Sequence, residues 1–172
     1  IGPEACGLVQ FSSGTTVEPK PVALSHRALV AQASLLNGFW PDDESTRHTG
    51  VSWLPLYHDM GLIGAWMGSL YFAMQLVLMS PLAFLTRPSR WLKAVQKYSG
   101  TLSAAPNFAF ELCLKKIDDE EIEGLDLSSW RASLNGAEPV SSAGTSPKLR
   151  GTISASSPGV ELMNRPLSRL SK

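Results

Sequence analysis

Short apolar runs alternate with stretches of helical periodicity along most of this chain. The runs are short enough for buried strands and are bounded by turn residues, whereas the stretches between them repeat apolar residues at helical spacing. The predicted strands are residues 7–12, 51–54, 75–79, 102–105 and 132–135, and the predicted helices are residues 26–37, 61–72, 88–98 and 107–117. Strands that alternate with helices predict an α/β fold built from parallel βαβ units.

The first predicted helix has a recognisable start, inner face and end. Ser25 is a good N-cap residue, Leu29, Ala33 and Leu36 recur at helical spacing, and Gly38 can close the helix in a left-handed conformation. The segment before this helix, after the strand at 7–12, is expected to be a loop that leads directly into it.

One stretch could be mistaken for a membrane span. Residues 60–85 carry no charge, and about 20 apolar residues are enough to cross a bilayer. Gln75, Pro81 and three glycines divide the stretch, so we expect a buried helix followed by a buried strand and no membrane span.

Composition narrows the classes of function. With 172 residues, 44% of them hydrophobic, the chain can bury one sizeable core. Lys plus Arg and Asp plus Glu both number 15, so the chain has no net positive charge that would attract nucleic acid or an anionic membrane. Cys6 and Cys113 have no metal-like or disulfide-like spacing, which favours a reducing, cytoplasmic setting. The chain starts at Ile1 without a leader-like segment and is expected to be an internal fragment.

The composition changes near residue 141. Residues 141–160 contain six Ser, three Gly and two Pro, which predicts a poorly ordered tail over residues 142–172 after a domain at residues 1–141. An acidic run at residues 118–126 is expected to be a solvated loop, because it has no regular metal-ligand spacing.

The chemistry begins with the loop after the first strand. Small residues, hydroxyls and one lysine between residues 12 and 20 suit a polyphosphate, because backbone N–H groups can approach the oxygens and Lys20 adds a charge. The spacing of the P-loop is absent, and such a cluster taken alone is more often an ordinary loop.

A Tyr-His-Asp triplet, Tyr57 to Asp59, follows the second predicted strand. Sites of α/β proteins assemble at the carboxyl ends of parallel strands. Taken alone, a pair such as His58 and Asp59 more often caps a helix than performs catalysis.

Four ordered runs together resemble the adenylate-forming (AMP-binding) superfamily, in particular its fatty acyl-AMP ligase and long-chain acyl-CoA ligase-like branch. The runs are Ser12 to His26, Val51 to Leu62, Ser103 to Leu112 and Leu134 to Val140, and the resemblance covers about residues 7–141. The fold that it implies is part of the N-terminal domain of an acyl-adenylate-forming ligase.

The resemblance implies roles for individual residues. Lys20 and His58 would be catalytic, with His58 close to the reacting carboxylate, and Thr16 would lie near magnesium. Tyr57, Asp59, Asn107 and Phe108 would contact the acyl substrate, although Asn107 could be only an N-cap and Phe108, like Phe110, only core. The implied nucleotide-binding residues are Ser12, Ser13, Gly14, Thr15, Thr16, Gly136, Ala137 and Glu138.

The implied activity is the ATP-dependent conversion of a fatty acid into its acyl-adenylate with release of pyrophosphate. ATP and Mg²⁺ would be required, and coenzyme A or the phosphopantetheine of an acyl carrier protein or polyketide synthase would accept the acyl group. A different hypothesis is a remnant that binds nucleotide or acyl groups without turnover, or a degenerate gene product without a stable fold.

The chain departs from the family at several places. Val17 and Pro21 stand where the family has glycine, and each weakens an anion-binding loop, by its Cβ or by loss of an N–H. After Val140 the aromatic-Gly-x-x-Glu run that supplies a magnesium-binding acid in the family is absent. We therefore expect these 172 residues to be inactive on their own.

Overall fold

A computed structural model of the protein describes residues 1–11, 19–36 and 47–136, together with the backbone of Glu161–Met163. Several residues of the sequence-based site predictions lie outside these ranges, and so does Val17. They are Ser12, Ser13, Gly14, Thr15, Thr16, Ala137 and Glu138. The predicted boundary at residue 141 also lies outside the described residues, so the division into two segments stays a prediction.

The first two strands form an antiparallel hairpin. Strand β1 (Cys6–Phe11) pairs with β2 (Pro21–Ser25), and Phe11 lies opposite Pro21. The prediction that the loop leads directly into a helix is therefore wrong. Pro21 lacks an N–H but is tolerated as the first residue of a strand.

Helix α1 (His26–Leu36) follows immediately. The Ala28 N–H donates to Ser25 Oγ at 3.2 Å, which confirms the predicted N-cap. Ala33 and Leu36 are buried, as the helical spacing predicted, and the predicted helix end at residues 37–38 lies outside the described ranges.

The remaining described strands form one parallel sheet. Its strands stand in the order β4-β3-β5-β6-β7, and they are β3 (Thr49–Ser52), β4 (Gln75–Leu78), β5 (Leu102–Ala105), β6 (Ala132–Asn135) and β7 (Glu161–Met163). The α/β class and the parallel pairing are confirmed. Strand β7 belongs to the segment predicted to be poorly ordered and was not predicted.

Helices connect the strands. A π-helix (Met60–Met67) continues into α2 (Gly68–Tyr71), α3 (Pro81–Thr86) and α4 (Ser89–Tyr98) precede β5, and α5 (Asn107–Lys116) and α6 (Asp119–Ile122) follow it. Helix α6 lies within the acidic run that was predicted to be a loop. No helix in the described ranges is long and apolar enough to cross a membrane.

The hydrophobic core lies on the face of the sheet covered by α4 and α5. Its largest fully buried side chains are those of Trp91, Trp130, Phe84 and Phe110. A buried polar chain connects α4 to the sheet, because Trp91 Nε1 donates to Ser103 Oγ at 3.0 Å and Ser103 Oγ donates to the Val51 carbonyl. Helix α1 and the π-helix cover the opposite face.

The strand order defines the place where a ligand is expected. The chain leaves β3 towards β4 on one side, and later strands β5 and β6 extend the sheet on the other side. The carboxyl ends of β3 and β5 therefore flank a topological switch point, the usual ligand position in open α/β sheets.

Candidate functional site

The loop that carries His58 is held by a tight approach to the end of β3. The His58 N–H donates to the Pro55 carbonyl at 3.2 Å, and the N–H groups of Gly61 and Leu62 donate to the His58 carbonyl at 3.0 and 2.8 Å. A Cβ on Gly61 would lie 2.3 Å from the Pro55 carbonyl oxygen. Only glycine fits there without a shift of backbone.

The His58 ring faces the first turn of the π-helix. The Met60 N–H donates to His58 Nδ1 at 3.3 Å, so this nitrogen acts as an acceptor and the neutral ring carries its proton on Nε2. Asp59, the N-cap residue, makes no side-chain hydrogen bond to the helix start. The capping interpretation thus applies to His58 and fails for Asp59.

The hairpin brings the two ends of the predicted phosphate-type loop, residues 12–20, to this place. Gln10 Nε2 donates to the Tyr57 carbonyl at 3.3 Å. The loop starts after Phe11 and returns through the exposed Lys20 to Pro21, which pairs with Phe11. Both ends of the loop are therefore anchored next to the Tyr57–Asp59 turn.

A second cluster of polar side chains lies at the carboxyl ends of β5 and β6. Asn135 Nδ2 donates to Asn107 Oδ1 at 3.2 Å, and Asn107 Nδ2 donates to Glu111 Oε1 at 2.8 Å. Both asparagines are 4% exposed. Pro106 is the N-cap of α5 and Asn107 is its first helical residue, so the N-cap interpretation of Asn107 is wrong.

A cavity of about 560 Å³ lies between the sheet, α1 and the π-helix. Most of its wall is apolar, and His58, Asp59, Asn135 and Gly136 contribute to it at the carboxyl ends of the strands. Of the sequence-predicted site residues that the structure describes, His58, Asp59 and Gly136 line the cavity. Lys20, Tyr57, Asn107 and Phe108 do not.

The two phenylalanines of α5 have different surroundings. Phe110 is 1% exposed and belongs to the core, whereas Phe108 is 44% exposed. The Phe108 ring meets Trp53 edge-on, with centroids 6.1 Å apart, and Trp53 stacks on Phe84 at 4.0 Å. The core interpretation therefore holds for Phe110 and fails for Phe108.

Cysteine chemistry does not contribute to this site. Cys113 is buried in the core, and burial raises the pKa of its thiol to about 12. In the described ranges no group of three His, Cys, Asp or Glu side chains could hold a metal ion.

Sequence reasoning assigned no role to Gln10, Glu111 or Asn135. Asn135 could have been noticed as a polar residue that ends an apolar strand next to Gly136. Glu111 could have been noticed as the i,i+4 neighbour of Asn107 on the predicted helix. Gln10 carries no such local signal, because its partner is 47 residues away and depends on the fold.

Curated relatives agree with the resemblance seen in the sequence. The chain is 42% identical over 138 residues to the medium-chain fatty acid–acyl-carrier-protein ligase TtuA of Teredinibacter turnerae, covering 80% of this chain and 21% of that protein. It is 41% identical over 136 residues to the 4-hydroxyphenylalkanoate adenylyltransferase of Mycobacterium tuberculosis, covering 78% of this chain and 22% of that protein. The chain thus spans about a fifth of the length of these relatives.

A solved structure shows the same fold. The fatty acyl-adenylate ligase of L. pneumophila, in complex with acyl adenylate and pyrophosphate, superposes with a TM-score of 0.77 at 40% identity, over 90% of this chain and 26% of that one. The profile of the family described as AMP-binding enzyme matches residues 1–147. With most of its length matched, this chain belongs to the AMP-binding enzyme family.

Proposed function

We propose that this chain serves in the ATP-dependent activation of a fatty carboxylic acid as its acyl-adenylate, with release of pyrophosphate. The observation that carries the proposal is an apolar cavity whose polar end, at His58 and Asp59, lies beside the anchored ends of the phosphate-type loop. The names of the two relatives, a fatty acid ligase and a 4-hydroxyphenylalkanoate adenylyltransferase, also support a carboxylic acid as the substrate.

The cavity supports a position for the acyl group. Apolar ligand sites of roughly 300–1,000 Å³ with a few convergent polar groups are typical of small-molecule binding, and this one falls in that range. The acyl chain would lie between α1, the π-helix and the sheet, and the carboxylate would lie at the rim near His58. Tyr57, Asp59, Asn107 and Phe108 stay predicted substrate contacts.

The nucleotide would lie along the same rim. The predicted phosphate contacts are Lys20 and the residues Ser12, Ser13, Gly14, Thr15 and Thr16, and the predicted adenine contacts are Gly136, Ala137 and Glu138. Gly136 is positioned by its N–H, which donates to the Ala105 carbonyl at 3.3 Å. That bond holds the start of the adenine segment against the end of β5.

The chemistry needs positioning and charge neutralisation more than a protein nucleophile. The carboxylate attacks the α-phosphorus of ATP and pyrophosphate leaves in line, so backbone N–H groups and Lys20 would steady the negative charge that develops on the phosphates. His58, whose Nδ1 accepts the Met60 N–H, would present its Nε2–H to the carboxylate oxygen. The buried Cys113 thiol takes no part.

Magnesium, an acyl acceptor and a compartment complete the proposal. A single hydroxyl such as that of Thr16 fits Mg²⁺, which keeps most of its ligands as water and phosphate oxygens. The metal would neutralise charge on the phosphates. Coenzyme A or the phosphopantetheine of a carrier protein would accept the acyl group, a cytoplasmic setting is proposed, and no nucleic-acid partner is proposed.

Catalytic turnover by these 172 residues on their own is a separate question from membership of the family. Val17 and Pro21 weaken the phosphate loop, and the aromatic-Gly-x-x-Glu run is absent. We propose that the isolated chain binds substrates without turnover, and that exchange between ATP and labelled pyrophosphate stays at background. Exchange driven by a fatty acid on the purified chain would contradict this part of the proposal.

Thermal melts of the purified chain test the site. We expect ATP with magnesium to raise the melting temperature, and an unreactive acyl-sulfamoyl adenosine to raise it further. A ligand at a hundredfold excess over its Kd stabilises the native state by about 2.7 kcal/mol. A chain that unfolds cooperatively and responds to neither compound would contradict the proposed function, and a chain without a cooperative melt would support the degenerate gene product.

Gly64 offers a matched pair of variants. It lines the cavity, and a Cβ there would meet nothing within 4 Å. Gly64→Phe should fill the cavity. It should remove the additional rise in melting temperature that the acyl group causes, while the rise caused by ATP remains. Gly64→Ala should retain both shifts. An acyl shift that survives Gly64→Phe would place the acyl group elsewhere.

A further inference from the structure

The registers of the parallel sheet give the depth of the cavity. Gly50 is level with Leu76 and Leu102, and Leu102 is level with Ala132. Gly136 lines the rim and lies 4 residues beyond Ala132 along the chain. Because a parallel strand rises ~3.3 Å per residue, the rim lies about 13 Å above the level of Gly50.

Among the described residues, buried side chains line the end of the cavity away from the rim. Leu36, Ser69 and Leu102 line it there and are only 8%, 5% and 3% exposed. A Cβ on Gly50 would lie 3.1 Å from Leu76 Cδ1 and 3.7 Å from Ser69 Oγ. The last residue of α1 and the start of α2 therefore form a floor at the amino end of the strands.

The wall between floor and rim is suited to an unbranched hydrocarbon. Its side chains include those of Leu29, Ile63, Ala104 and Leu134, and the ionisable side chains among the described lining residues are those of His58 and Asp59. Both of these lie at the rim. A ligand with one polar end and an apolar tail would thus enter with the tail pointing to the floor.

From this depth we infer that the cavity is a closed-ended pocket that selects medium-chain acids, with room for an acyl tail of about ten carbons. An extended hydrocarbon advances ~1.3 Å per carbon, given a C–C bond of about 1.5 Å, so about 13 Å corresponds to about ten carbons. Ser69 and Leu76 set the limit, since they stand at the floor. The inference rests on the proposed function, because it takes the cavity as the acyl site.

Calorimetric titration of the purified chain with saturated fatty acids of increasing length tests the inference. We expect roughly fourfold tighter binding for each added methylene up to about ten carbons, and no further gain beyond that length. Affinity that continues to rise to about sixteen carbons at the same rate would overturn the closed floor. Affinity independent of chain length would show that the cavity does not take the tail.

The acyl length at which affinity stops rising is called the break. Two variants at the floor should move this break in opposite directions. Ser69→Leu raises the floor and should shift the break to acids shorter by about two carbons, whereas Leu76→Ala should shift it to longer acids. Leu70→Ala, next to Ser69 but 65% exposed and outside the cavity lining, should leave the break unchanged. If Ser69→Leu does not fold, Leu76→Ala at a half-buried position carries the test. A break that stays fixed in Leu76→Ala overturns the assignment of the floor.

The two proposals fail in different ways. Fatty acids bind in this titration without nucleotide, so a clear break together with melts that ignore ATP would support the pocket and contradict the adenylation function. A response to ATP and acyl-sulfamoyl adenosine without a break would support adenylation and overturn the closed pocket.

Discussion

Gly61 shows how one missing side chain positions a candidate site. The Pro55 carbonyl oxygen lies where a Cβ would be, at 2.3 Å, and the same carbonyl accepts the His58 N–H. The turn that presents His58 at the cavity rim therefore depends on the absence of a side chain three residues later. The amino-acid sequence alone indicates a glycine there but not the backbone that meets it.

Gly61→Ala tests this contact. The added methyl group must displace backbone at Pro55, and overpacking of this kind costs about 1–3 kcal/mol in the free energy of unfolding. Gly64→Ala, one turn further along the same helix, should be neutral or stabilising by up to ~1 kcal/mol, because its Cβ meets nothing within 4 Å. Urea denaturation of both variants measures the difference, and equal stabilities would contradict the role given to Gly61.

At the scale of elements, the sequence predicts best where periodicity is undisturbed. Strands β5 and β6 and helix α4 agree with prediction, because their apolar patterns are bounded by clear turn residues. The predicted strand 51–54 lies two residues too late. Ser52 Oγ accepts the Leu54 N–H at 3.2 Å, so the side chain takes the donor that a longer strand would use.

The elements that sequence reasoning missed depend on partners or on short signals. Strand β2 forms because β1 lies beside it, and nothing within residues 21–25 reveals that partner. Helix α3 did have a local signal, since Ser80 Oγ accepts the Leu82 N–H at 3.2 Å and Pro81 follows as the first helical residue. The resemblance implied an apolar acyl site, but the elements that line the cavity were not predicted, because α1 and the sheet meet only in three dimensions.

The asparagine pair between α5 and β6 should be important for stability. Asn107→Ala removes the acceptor of the buried Asn135 Nδ2 group, and an unsatisfied buried donor costs about 1–3 kcal/mol. Asn107→Ala combined with Asn135→Ala should lose less than the sum of the two single changes, because both partners are then absent. Urea denaturation of the double-mutant cycle tests this, and strict additivity would contradict a direct interaction.

At the scale of the whole molecule, the two faces of the sheet differ in purpose. The face under α4 and α5 is densely filled, with Trp91, Trp130 and Phe110 fully buried, and it stabilises the fold. The face under α1 and the π-helix encloses the cavity, so apolar surface there is available to a ligand. Changes on the first face should alter stability, and changes on the second should alter binding.

Cys113 lies on the densely packed face. The pH dependence of the free energy of unfolding can therefore test whether that face excludes water. Burial raises the pKa of its thiol from an ordinary 9.0 to about 12. Between these values the unfolded chain has lost the proton and the native chain retains it. The unfolded state then binds fewer protons, so the free energy of unfolding falls as pH rises, by up to about 1.4 kcal/mol per pH unit.

The contribution of the protonated Cys113 thiol to the free energy of unfolding should be fully present below about pH 9 and decline above it. Urea denaturation between about pH 8 and about pH 10.5 should show a steeper decline for the wild-type chain than for Cys113→Ala, which has no thiol to titrate at that position. Cys6→Ala, which removes an exposed thiol instead of the buried one, is the matched control and should follow the wild-type curve. If Cys113→Ala and the wild-type chain decline in parallel, the thiol is accessible to water in the native state and the face under α4 and α5 is not closed.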